Sequence, residues 1–174
     1  MGETAALSII RWLSEVPGEL VMLLISGIPV TELRGSIPVA MTVMADTWAW
    51  PWWKVYLLAV AGNMAPVPFI LWFLEPVSGF LSCWKPFERF FRWLFDRTRR
   101  KVGDRVEKYR ALGLAVFVAI PLPMTGAWTG SAAAFLFGIP RRLALPAIAL
   151  GVVVAGAVVT LIVSGVFAAL GFLL

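Results

Sequence analysis

Two charged residues stand inside an otherwise apolar stretch: Glu32 and Arg34 in IPVTELRGSIPVA, residues 28–40. An unpaired charge at mid-membrane costs roughly 2.5–3.5 kcal/mol, so such residues pair, face water or hold a ligand. The guanidinium fork of Arg34 stays charged and matches carboxylate and phosphate geometry. Spaced two apart, the side chains point in different directions in a regular element and need not partner each other. The spacing therefore assigns Arg34 to the anionic group of a substrate and Glu32 to a titrating role that couples movement to protons. The plainer alternative is that both brace the fold by capping half-helices.

A second stretch, IPLPMTGAWTGSAAA at 120–134, reads as a degenerate copy of the first. Pro29 and Pro38 break one apolar run; Pro121 and Pro123 break the other. Broken backbone at membrane depth survives only where protein or an aqueous cavity satisfies it, and matching breaks in two halves mark a binding site. Half-helices that end there turn N–H groups and positive dipole ends toward the site. Gly35, Gly126 and Gly130 permit close backbone approach or positive φ. Thr125 and Thr129 offer hydroxyls, and Trp128 a flat face with an N–H donor. Asn63 is expected to line the same cavity from a spanning helix, or else to make an interhelical hydrogen bond worth about 0.6 kcal/mol.

What could carry these elements is fixed by composition. The 174 residues are 60% hydrophobic, with mean hydropathy +0.87 and 14% charged residues, well below the roughly 25% of soluble domains. Residues 143–174 hold no charge and exceed the roughly 20 apolar residues that span a bilayer. The N-terminus opens with Glu3 and lacks the basic start of a cleaved signal. Cys83 is alone and histidine is absent, which leaves no disulfide framework, no metal site and no cofactor to expect. Enzymatic chemistry would need a nucleophile with a base, or a metal, and none is legible.

The net charge of +5 is concentrated in residues 85–110, with ten basic against four acidic side chains. The positive-inside tendency places this loop in the cytoplasm. Its apolar residues recur at three- and four-residue steps, which predicts an amphipathic helix on the inner leaflet near anionic lipids. Charge alone does not support a nucleic-acid partner.

The expected fold is an all-α integral membrane protein, a single membrane domain of residues 1–174. A first repeat (1–84), a basic connector (85–111) and a second repeat (112–174) each follow from the same order of breaks and apolar runs. Each repeat would be a re-entrant helical hairpin followed by a transmembrane helix, with amphipathic interfacial helices including residues 3–16. If both hairpins turn back, the repeats are inverted and Arg141 and Arg142 lie with the basic loop in the cytoplasm.

The strings GIPVTELRGSIPVA, AGNMAPVPFILWF and AIPLPMTGAWTG, in this order, resemble the bacterial and archaeal small multi-drug export proteins. The layout also resembles the DedA family, whose inverted re-entrant hairpins include translocases of polyprenyl-phosphate carrier lipids; the second hairpin here lacks the basic residues of that family. These resemblances imply a multi-pass protein of the prokaryotic inner membrane, with membrane lipids and a lipid-phosphate substrate as partners, and a homo-oligomer as one arrangement. The fixed charge of Arg34 favours an anionic amphiphile over a hydrophobic cation bound at Glu32. A scaffold that transports nothing is the remaining alternative.

Overall fold

The computed structural model describes residues 16–81, 104–121 and 125–173. Those residues form helices without strands: α1 (Gly18–Gly27), α2 (Glu32–Met41), α3 (Ala45–Trp48), α4 (Trp52–Met64), α5 (Val67–Leu81), α6 (Asp104–Ala119), α7 (Ala127–Leu136) and α8 (Arg141–Leu173). The interfacial helix expected over 3–16, most of the basic segment 85–110, and Pro123 lie outside the described residues. The chain divides into two compact units, Met1–Asn63 with Val159–Leu174, and Met64–Val158.

In the first unit, α1 and α2 form a helical hairpin. Pro17 precedes α1, and Ile28 ends it with ψ 134°, because the residue before a proline, here Pro29, is pushed out of the α region. The four residues 28–31 turn the chain, and α2 starts at Glu32. Each arm has 10 residues, hence about 15 Å, half of a hydrocarbon core of about 30 Å. The hydroxyls of Ser26 and Ser36 meet at 2.7 Å across the arms, and Ser26 also reaches the Met22 carbonyl at 2.7 Å. Both serines are buried with Met22, Leu33 and Ile37.

Pro38 does not break the chain as its type suggests; it lies inside α2, whose cap Thr42 donates back to the Pro38 carbonyl at 2.8 Å. A proline removes one rung from the ladder, and here the missing donor is the one the Arg34 carbonyl would accept. The run of bonds on either side keeps the arm helical. Gly35 is likewise helical, with its N–H on the Thr31 carbonyl.

Helix α4 packs on this hairpin through glycine: a Cβ at Gly62 would lie 2.9 Å from Leu23 Cα and from Ser26 Cβ. At the other end of α4 the tryptophan-rich turn is ordered. Trp48 and Trp50 stack at 4.5 Å, and Lys54 sits 4.3 Å over the Trp50 ring while pairing with Glu19 at 2.6 Å. The Lys54 hydrogen bond, foremost, holds the Glu19 carboxyl below its ordinary value of 4.5. A depressed folded value means that the stabilisation is complete above pH 4.5 and is lost as pH falls through the folded value. Glu19 is exposed, so the effect is small. The melting difference between wild type and Lys54→Met is expected to shrink on going from about pH 7 to about pH 3; a difference independent of pH would remove the pair.

The second unit holds a second hairpin, α6 and α7. Gly130 of α7 faces Val118 of α6, with Cγ2 2.5 Å from where a Cβ would stand, and Gly151 of α8 abuts Val118 and the Ala115 carbonyl on the same helix. Arg110 Nη1 donates to the Phe137 carbonyl at 3.4 Å. The start of the apolar part of α6 and the end of α7 therefore lie side by side, as in an antiparallel pair of helices. Gly138, at φ 62°, closes α7: its N–H reaches the Phe135 carbonyl at 3.0 Å and that of Ile139 the Ala134 carbonyl at 2.8 Å. That pair of bonds is the Schellman pattern that a left-handed glycine supports. Helix α8 then runs 33 residues through Pro146 without ending.

Two apolar segments are long enough to cross a bilayer, Trp52–Leu74 (mean hydropathy 1.8) and Arg141–Gly165 (mean hydropathy 2.6). Only 28% of the first and 44% of the second is buried, leaving Leu57, Phe69, Trp72, Val153 and Leu161 outward. Apolar surface on this scale suits lipid rather than water.

Candidate functional site

The tip of the first hairpin gathers the charges. Glu32 is the first residue of α2 and has φ 44°, a left-handed conformation that is uncommon outside glycine and costs of order 1–3 kcal/mol. Its carboxylate accepts from Arg34 Nη2 at 3.0 Å. The spacing argument for two divergent side chains is thus corrected. It holds for a regular element, whereas the left-handed φ at Glu32 turns its Cα–Cβ bond out of the helical series and lets it meet Arg34. The burden of positive φ falls on Glu32, since Gly35 is helical and Gly126 is extended at φ −179°.

The two charges are unequally covered. The Glu32 side chain is 3% exposed and that of Arg34 20%. The carboxylate lies at the positive end of α2, where a helix favours an anion, and the guanidinium is the charge presented outward. Below the tip, the Thr31 hydroxyl donates to the Ile25 carbonyl and Glu32 N–H to the Ile28 carbonyl at 2.9 Å. These bonds close the end of α1 and fix the loop that carries the pair. Pro29 is exposed on that loop.

Asn63, at the end of α4, is 1% exposed, and neither its amide nitrogen nor its oxygen has a hydrogen-bond partner. A buried amide left so costs roughly 1–3 kcal/mol in proteins. Its neighbour Gly62 packs on Ser26 of the hairpin in the same unit.

The second hairpin places its polar residues differently. Thr125 donates to the Ile120 carbonyl at 2.6 Å, the counterpart of Thr31 on Ile25. Thr129 Oγ accepts from the Gly126 N–H at 2.9 Å, which caps the start of α7 as the reciprocal half of a capping box. Ser131 donates to the Ala127 carbonyl at 2.7 Å. Gly130 is buried against Val118, Trp128 and Pro121 are half-buried, and Pro121 follows the end of α6. These hydroxyls are engaged with the hairpin's own backbone.

Sequence reasoning did not single out Ser26 and Ser36, the bonded pair between the arms. Their signal was available: single hydroxyls in apolar runs of a chain expected to be buried.

An all-helical chain with two apolar segments of bilayer length and a buried ion pair at a hairpin tip is a membrane protein. Residues 32–158 match the family model described as "Putative small multi-drug export protein", and the chain belongs to that family. No curated protein matches the chain, and no solved structure does.

Proposed function

We propose that this protein is a transporter that moves an anionic amphiphile, of the polyprenyl-phosphate kind, across the cell membrane, with Arg34 holding the anionic head group. The reading is carried by one observation: of the two paired charges, the guanidinium is the more accessible. Glu32 then serves as the group that orients Arg34 from beneath, leaving the remaining donors of the fork for a phosphate or carboxylate.

Two further features support it. Both arms of the first hairpin are half as long as a bilayer is thick, which suits a re-entrant element of the DedA layout rather than a crossing. The backbone strain at Glu32 falls where strain tends to gather, at ligand clamps. Asn63 supplies an amide with both hydrogen-bonding atoms unused, suited to the polar part of the same substrate.

The family's name suggests drug export, and a hydrophobic cation bound at Glu32 is the competing assignment. Such a cation would have to displace Arg34 from the carboxylate. Reconstituted liposomes distinguish the two. Arg34→Lys keeps the charge without the fork and is expected to lower transport of a lipid phosphate about tenfold or more, while the Glu32→Gln/Arg34→Gln double variant loses it. Unchanged lipid-phosphate transport in the double variant would end the proposal. Export of a lipophilic cation that Glu32→Gln alone abolishes would replace it with the drug reading.

A further inference from the structure

The second unit contains a cavity that the transport site does not use. It lies between α6 and α7, has a volume of about 320 Å³, and is walled by Gly113, Leu114, Phe117, Phe137 and Ile139 with Arg110 at its mouth. That volume is at the lower end of ligand pockets, and apolar walls with one placed charge are their usual make-up. Arg110 is the only charged group among the lining residues. Ile139 is followed within three residues by Arg141 and Arg142, both exposed at the start of α8. The bond from Arg110 to the Phe137 carbonyl holds its guanidinium at the end of α7, so the apolar groove carries a cation at that end.

We infer that this groove binds an anionic phospholipid, one acyl chain lying against Leu114, Phe117 and Phe137 and the phosphate at Arg110. Charge complementarity selects the occupant. A zwitterionic lipid could fill the apolar walls equally well but would gain less from the Arg110 guanidinium at the head-group end, whereas a free phosphate would leave the apolar walls empty. Phe137, although 61% exposed, then becomes a chain contact, and the groove is a place where the surrounding lipid binds with preference. Such a lipid would bridge the two arms of the hairpin. It sits apart in function from Arg34, and its loss need not alter substrate recognition.

Gly113 makes the test clean, because a Cβ there meets nothing within 4 Å. Gly113→Leu fills the groove from an open position and replaces a glycine inside a helix by a stronger helix former, so folding should survive. Native mass spectrometry of protein taken from phosphatidylglycerol/phosphatidylcholine vesicles should show phosphatidylglycerol retained on the wild type. Retention should fall at least about tenfold in Gly113→Leu, and Arg110→Gln should lose the preference for phosphatidylglycerol over phosphatidylcholine. Lys54→Met, outside both sites, should retain the lipid as the wild type does. Equal retention of phosphatidylcholine by the wild type, or undiminished phosphatidylglycerol in Gly113→Leu, would overturn the inference.

Discussion

Arg34→Gln is expected to destabilise the protein by roughly 3 kcal/mol, and Glu32→Gln in the same chain to recover most of that loss. Glu32 is 2% exposed with its carboxylate 3.0 Å from the guanidinium. Removing one partner of a buried pair leaves an uncompensated charge, typically a cost of about 3–5 kcal/mol, whereas replacing both is often nearly neutral. Because Arg34 keeps partial solvent access, the lower end of that range applies. The measurement is a double-mutant cycle on thermal or denaturant unfolding in detergent micelles, followed by the fluorescence of the nine tryptophans. A coupling below about 0.5 kcal/mol, the level of independent sites, would mean that the two charges do not act as a pair. The cycle also separates folding from activity, since the double variant should be stable and yet inactive in transport.

The second large effect is expected at Gly62. An alanine methyl there would stand 2.9 Å from Leu23 Cα and Ser26 Cβ and closer still to the Leu23 carbonyl. Backbone cannot yield as a side-chain tip can, so α4 must move off the hairpin. Overpacking of this kind costs about 1–3 kcal/mol and occasionally more, and Gly62→Ala should lie at or beyond the upper end. Gly113→Ala is the internal control. With open space at its Cβ position, it should be neutral or stabilising by about 0.8–1 kcal/mol, as an exposed helical glycine gains propensity. Equal melting temperatures for Gly62→Ala and wild type would show that α4 does not rest on the hairpin as described.

The contrast between these two glycines shows where sequence alone stops. Both read as glycine in an apolar helix, and only the packing of a distant segment tells them apart. Breaks were legible where a local rule decides them. Pro29 forces Ile28 to extend, so a break opening at Pro29 was legible, while its end at residue 31 rather than at Pro38 was not. Pro38 obeys the same rule weakly, because six residues of established helix precede it and the ladder resumes beyond. The charged pair was visible as a cost in the bilayer, but its partnership was not. A single left-handed φ at Glu32 has no signature in residue type, and glutamate is a poor candidate for it. In the second hairpin the residues were legible and their backbone partners were not: Thr125 bonds the Ile120 carbonyl and Thr129 accepts from the Gly126 N–H. The family match to residues 32–158 covers the whole second hairpin and, of the first, only α2.

Pro38 has one more consequence. A hydrogen bond that the covalent chain forbids cannot be broken by motion, so the step between Arg34 and Pro38 is the cheapest place in the arm for a bend. The last turn of α2, Pro38 to Met41, can swing while the turn bearing the ion pair stays rigid.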